Sequence, residues 1–542
     1  MPYDLRVPKG LLTALLVVVA AVLAALGPNL PFLADHLLGA ADSDASNHLW
    51  GWAWVQRTLL ESGRVPLELD AANYPDGGAF FCLDTANALL FLPLAVLPPT
   101  LAHNLISLTH LVLAGLSAWW LAREWVDPEP ALFAALTFAL SPYVLTHGLA
   151  SGVAEGLFLF PVPLVILFGV RVWTRTGWGA ALALGAVTVL QAFGSWHYGL
   201  VAGLLLLLGA ALHWRRPAPG VLPRLGVAAA VAVVGLLPLA WMIGGSVDQG
   251  AAYERGLSLF PQMSALELPP VNILGLADAL VPTDAALRAF EEGPDRMVSS
   301  GYLGLVVLGM AAWGRSWRLG ALALVFYTFA MGPRVHLWTL DGSGVPNPLY
   351  LLFYTVVPLF HETRHVTARF VVGANLALGL AAALGAVRLR VWPRRIALAA
   401  LVAEFLFLAP TPWPQPQTPT APHPVSERIE GPVLELPWLT PGGQFEDDIL
   451  VQAVWHTQPI PFNLQGGGDQ ILAPSVRQNP FVNGLRHQME DGRPGHCGGV
   501  DELRSMGLEH VVLRRDEGGV QDTLERCLGP GEEVGGRILF SL

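Results

Sequence analysis

The stretch GAADSDASNHLWGWAW, residues 39–54, holds the first closely spaced pair of carboxylates in the chain. Asp42 and Asp44 stand two positions apart, and His48 follows Asp44 by four. Ser43 or Asp44 suits the N-cap of a helix starting near Ala45, in which Asp44 and His48 share a side, as do Trp50 and Trp54. A carboxylate held at such a place can take a proton from an incoming hydroxyl or amide. The plainer reading is a capped interfacial helix, with Trp50, Trp52 and Trp54 anchored at a headgroup boundary and both aspartates solvated. Asp76 and Asp84 follow; Asp76, in Pro-Asp-Gly-Gly, reads as turn chemistry.

A second constellation is HETRH, His361 to His365. On a helix, H-E-x-x-H puts His361 and His365 on one face as zinc ligands, with Glu362 as general base. Pro358 places this motif at a loop-to-helix transition, and the nearest downstream acid, Glu404, falls inside a later apolar stretch. Glu404 has no evident partner, and an acid inside a span hints at function by default. The GSWHYG stretch, Gly194–Gly199, reads as a tight hairpin between two spans, with Trp196 and His197 at the interface.

These residues need a scaffold, and the composition indicates a membrane-embedded one. The chain is 53% hydrophobic and only 13% charged over 542 residues, against roughly 25% charged in soluble proteins. Its net charge is -11, of which the 18 Asp/Glu and 9 Lys/Arg of residues 411–542 supply -9, so the rest is nearly neutral. Nothing in this balance attracts nucleic acid. Eleven apolar runs of bilayer-spanning character lie near 10–27, 101–122, 130–147, 154–173, 177–194, 196–213, 223–244, 299–314, 317–333, 366–387 and 394–410. Ala88–Leu97 is too short to span and reads as a re-entrant or interfacial helix. The first run resembles a signal peptide but lacks a clean cleavage site, so it is expected to stay as a span.

Fourteen arginines and lysines, from Arg6 and Lys9 to Arg394 and Arg395, fall on alternate short connections. The positive-inside rule then puts the N-terminus in the cytoplasm. Eleven spans leave loops 28–100, 246–298 and 334–365 outside, together with the tail. That tail opens with a linker at 411–424, within a fifteen-residue run holding seven prolines. It continues as residues 425–542, where GPVLELPW, LEHVVLRR and GRILFSL read as strands, and VDELRSMG and VQDTLERCLG as helices. The expected fold is mainly α, a polytopic bundle of about eleven transmembrane helices over 1–410 with a small C-terminal α/β extracytoplasmic domain. Cys497 and Cys527 could pair if that domain is outside.

Several short motifs now add up. Asp44, His48 and Trp50 fit D-x-x-x-N/H-x-W; Tyr74, Pro75 and Gly77 fit Tyr-Pro-x-Gly. Ser141-Pro142-Tyr143 is followed by His147 and Glu155, and His365-Val366-Thr367-Ala368-Arg369-Phe370 stands where R-V-P-A-R-F is expected. With the VLELPW stretch and the span-loop-span layout, the chain resembles the GT-C superfamily of membrane glycosyltransferases, in particular bacterial members that use polyprenyl-phosphate sugars. The resemblance implies an inverting transfer from a polyprenyl-phosphate-linked sugar to a lipid, glycan or protein acceptor, at the periplasmic face of a bacterial inner membrane. It makes Asp44 the general base, with Asp42 as understudy, and assigns Arg369, Arg364 and His365 to the donor phosphate. His48 is expected to line the cavity, His147 and Glu155 either line it or sit at the interface, and a divalent ion, Mg or Mn, serves some superfamily members. The replacements at His365 and Thr367 depart from the family pattern and bear on donor recognition. The alternatives are a non-catalytic lipid-sugar carrier or flippase, which would tolerate Asp44→Asn, and a zinc metalloprotease using His361, Glu362 and His365.

Overall fold

The computed structural model describes residues 10–41, 43–64, 66, 68–79, 85–212, 217–248, 274, 276–281, 300–336, 344–357, 367–438, 448–462, 472–516 and 519–542. Each of the eleven apolar windows contains helix. Among the described residues, Pro99–Ala122, Ala154–Thr174, Val221–Ala240 and Thr367–Ala386 are long and apolar enough to cross a bilayer. A fifth crossing results if Pro128–Ala139 and Val144–Ala150 are counted as one span. Leu11–Ala25, Trp178–Gly194, Trp196–Ala211, Leu305–Gly314 and Trp317–Ala330 are shorter apolar helices. Helix starts follow proline: Pro99, Pro128 and Pro161 each occupy the first turn, where a missing N–H leaves no bond unmade.

The window 130–147, expected as one helix, is broken. Its two halves bend by 48° around Ser141-Pro142, and the second half is a π-helix. Proline has no N–H to donate and its ring crowds the preceding turn. The break delivers His147 to one end of the bundle. At the opposite end the arginines gather: Glu124 takes Arg171 at 2.7 Å and Arg175 at 2.6 Å, while Glu129 takes Arg394 at 3.1 Å and Arg395 at 2.9 Å.

Described residues of 28–100 and of the tail share one apolar core. The linker is not a bare spacer: Gln417–Pro419 pairs antiparallel with His36–Leu38 of the first loop. Downstream, a four-stranded sheet runs in the order Val433–Leu436, His510–Leu513, Arg537–Ser541, Glu532–Val534, with the first pair parallel and the others antiparallel. Cys497 and Cys527 are joined by a disulfide, with Cα atoms 5.2 Å apart. The helix Ala45–Ser62 packs on the helix Asp448–His456, and Arg57 donates to the Val454 carbonyl at 3.0 Å. Asn73 and Tyr74 donate to Phe462 and Ile460, and the Tyr74 hydroxyl reaches the Met506 carbonyl. Asp76, read as turn chemistry, accepts from the Ser475 amide at 2.8 Å. Ala88–Leu97 resolves into two short turns, Thr85–Leu90 and Leu92–Val96.

Two expectations are corrected. Trp50, Trp52 and Trp54 are only 4%, 2% and 6% exposed, so they are not headgroup anchors; they lie in the core shared with the C-terminal sheet. Trp50 and Trp54 stack at 5.7 Å, as their four-residue spacing allows. Glu404, in turn, has partners. Its carboxylate accepts from the Tyr302 hydroxyl and the amides of Leu305 (2.5 Å) and Val306 (2.9 Å), capping the helix Leu305–Gly314 from a distant segment. Those first-turn amides have no partner within their own helix. Glu404 is therefore a structural cap. Glu404→Ala should lower stability by about 3 kcal/mol, since a buried donor left unmade costs roughly 1–3 kcal/mol, and Glu404→Gln by less. Thermal unfolding of the purified protein in detergent measures both.

Candidate active site

The site lies at the end of the bundle away from the paired arginines. Two glycines let its walls meet. Gly39 and Gly152 both have positive φ (+133° and +62°), and a Cβ on either would come within 2.7 Å of Ala45. The backbone of the first loop therefore sits directly on the segment carrying His147 and Glu155, sealed by the Ala40 amide donating to the Ala150 carbonyl at 2.9 Å.

Asp44 begins the helix Ala45–Ser62, yet its side chain makes no capping bond. Ser43 takes that part, its hydroxyl accepting from the Ala45 amide at 3.5 Å. The Asp44 carboxylate accepts instead from the Asn47 side chain at 3.4 Å. Burial lifts this carboxyl above its ordinary value of 3.8; the Glu155 carboxylate pushes the same way, while His48, Asn47 and Arg369 oppose them. This half-buried carboxylate thus faces both charges instead of closing its helix.

Arg369 lies on the 3-10 turn Thr367–Phe370 that opens the span. Its side chain is 7% exposed and ion-paired through Nη2 to the Glu155 carboxylate, itself 29% exposed. Nη1 contacts His197 Nδ1 at 2.7 Å, and the guanidinium stands 5.8 Å from the Tyr198 ring. A guanidinium only donates, so His197 Nδ1 accepts and its ring is neutral with the proton on Nε2. The Tyr198 and Tyr143 hydroxyls share a hydrogen bond of 2.9 Å, and Tyr143 stacks on His147 at 5.1 Å. His147 lies within electrostatic reach of Arg369 and His48.

The structure thus gathers Asp44, His48, His147, Glu155 and Arg369 into one cluster, bringing together residues up to 325 positions apart in sequence. Asp42, Asp84, His361, Glu362, Arg364 and His365 lie outside the described residues. Sequence reasoning missed His197 and Tyr198. It placed the Trp196-His197 pair at a lipid interface, but His197 turns inward to Arg369. The available signal was adjacent His and Tyr at the start of a span, right after the break at Ser195.

Two consequences are measurable. Protonated Asp44 contributes stability that is fully present below pH 3.8 and lost as pH rises through the lifted folded value. At neutral pH the ionised group is a burden, so Asp44→Asn should raise Tm, with the gain shrinking in acid. Glu155→Gln should do the reverse. It leaves Arg369 buried beside neutral partners, a loss on the order of 2–3 kcal/mol, below the 3–5 kcal/mol of fully buried pairs. Adding Arg369→Gln should recover part of it in a double-mutant cycle.

No protein-family model matches the sequence, and no curated protein matches it. Solved structures do. The arabinofuranosyltransferase AftD from Mycobacteria aligns over 94% of this chain with a TM-score of 0.52 and 17% identity, and this chain spans only 36% of that enzyme. The oligosaccharyltransferase of Archaeoglobus fulgidus aligns over 93% of this chain and 69% of its own, with TM-score 0.46 and 14% identity. ArnT from Cupriavidus metallidurans, in its complex with undecaprenyl phosphate, aligns over 98% and 97%, with TM-score 0.43 and 13% identity. Identities this low speak to architecture, and activity has to be argued from the site. The chain shares its fold with the arabinofuranosyltransferase AftD.

Proposed function

We propose that this protein transfers a sugar from a polyprenyl-phosphate donor to an acceptor hydroxyl at the outer face of a bacterial inner membrane. One observation carries the reading: the Asp44 side chain makes no cap and lies within electrostatic reach of the buried Arg369, where the first loop meets the bundle end. The likeness to an arabinofuranosyltransferase supports sugar transfer as the general class. Eleven crossings, with the N-terminus inside and the tail in the periplasm, agree with the arginine clustering at the far end. The Cys497–Cys527 disulfide agrees with an oxidising compartment for the tail.

The chemistry follows from the side chains. The acceptor hydroxyl gives its proton to Asp44, and its oxygen bonds to the anomeric carbon as the bond from that carbon to the phosphate oxygen breaks. The bond's electron pair leaves with the lipid phosphate, and attack from the opposite face inverts the anomeric centre. A base whose pKa is lifted toward working pH gains proton affinity, which general-base catalysis uses. Arg369 meets the charge growing on the phosphate in surroundings that screen it poorly. His48 and His147 line the space between them. Among the described residues no three His, Cys, Asp or Glu side chains converge as metal ligands. Glu155, the oxygen donor beside Asp44, is already engaged by Arg369. No step here is routed through a metal ion.

Asp44→Asn should lower transfer by roughly 10²–10⁴-fold, the usual contribution of a positioned base, at undiminished protein level. Wild-type activity should fall in acid, with the midpoint above the ordinary carboxylate value of 3.8 because Asp44 is lifted. The read-out is mass spectrometry of glycans and glycolipids from membranes carrying each form. Full transfer by Asp44→Asn would remove the base from this account and favour a carrier.

A further inference from the structure

The Arg369–Glu155 pair joins unequal partners. Arg369 is fixed: 7% exposed, held through Nη1 by His197 at 2.7 Å, and flanked by a Tyr198 ring that Tyr143 pins in place. Glu155 is 29% exposed and sits on a single 3-10 turn, Ala154–Gly156, after the reversal at Gly152. Among the described residues Arg369 is the only ion-pair partner of its carboxylate. The anion can swing out, and the cation cannot. Any phosphate approaching Nη2 meets the position that Glu155 now occupies.

The charges make the exchange even. A sugar-phosphate diester carries one negative charge, as does a carboxylate, so Arg369 stays neutralised when one replaces the other. Only the phosphate then gains a second charge, as the bond to the sugar breaks and a monoester forms. Its hold on Arg369 grows in the transition state, whereas a carboxylate's would not. In the resting arrangement the Glu155 charge already favours the protonated form of Asp44, with Arg369 opposing it. Among the described residues, the charged and polar groups facing Asp44 are His48 and Asn47 from its own helix, Glu155 from the turn and Arg369 from the span opening. With Arg369 engaged by phosphate, the Glu155 charge acts on Asp44 without its cation.

Resting on the glycosyltransferase reading, we propose that Glu155 is a positioning residue: the resting counter-ion that the donor's phosphate displaces from Arg369, and whose released carboxylate strengthens Asp44 as proton acceptor. The base is thereby armed only when the donor is seated, and an idle site keeps a weaker base.

Farnesyl phosphate, a short soluble polyprenyl phosphate, serves as the probe on the full-length protein in nanodiscs. Isothermal titration in buffers of different ionisation enthalpy gives both affinity and proton uptake. Wild-type protein should take up protons on binding, and Asp44→Asn should lose that uptake. Glu155→Gln should bind roughly tenfold more tightly, the scale of one competing charge-assisted hydrogen bond removed, and take up fewer protons. Glu155→Asp, too short to hold Arg369 well, should also bind more tightly while retaining uptake, and covers the case in which Glu155→Gln does not fold. Weaker binding by folded Glu155 variants would make Glu155 a structural prop and overturn the proposal. Proton uptake unchanged by Asp44→Asn would overturn the coupling. Failure of folded wild-type protein to bind the probe would instead overturn the glycosyltransferase reading beneath it.

Discussion

An arginine whose side chain is only 7% exposed has to be neutralised by what the protein brings to it, because water cannot do so. Arg369 is that group, and much of the bundle end is arranged around it. Glu155 supplies the charge, His197 the second acceptor, and Tyr198 the aromatic face. These partners come from two helical segments and Arg369 from a third, so the cluster also fixes how those segments meet. The bend at Ser141-Pro142 belongs to the same arrangement, since it turns His147 and the Glu155 turn toward Arg369 instead of continuing a straight span.

Asp44 reaches this cluster through a different kind of constraint. Its helix is held from behind by apolar packing against the C-terminal sheet, with Trp50, Trp52 and Trp54 buried in that contact. From the front it is held by backbone approach at Gly39 and Gly152. The strand pair between His36–Leu38 and Gln417–Pro419 ties the first loop to the start of the tail. The tail thus acts as the rigid support of the first loop, and through it sets the position of the carboxylate.

Much of this was legible in the sequence because it rests on local rules. Apolar runs, prolines at helix starts and alternate arginines mark the helices and their ends. The resemblance to the GT-C superfamily, carried by short motifs, nominated Asp44, His147, Glu155 and Arg369. What escaped depends on contacts between distant segments. Nothing near Glu404 in sequence reveals the helix it caps, which begins at Leu305. A tryptophan-rich amphipathic helix looks the same whether it meets lipid headgroups or a protein sheet, and only the packed tail distinguishes them. His197 escaped for the same reason, since its partner Arg369 lies 172 residues away.

The central claim is that Arg369 and Asp44 face one lipid-phosphate subsite. The most direct measurement is an electron cryo-microscopy structure of the full-length protein in nanodiscs containing undecaprenyl phosphate. The account predicts phosphate density against Arg369 Nη2, with the Glu155 carboxylate withdrawn and Asp44 facing the same space. Lipid phosphate bound elsewhere, with Arg369 still paired to Glu155, would contradict it.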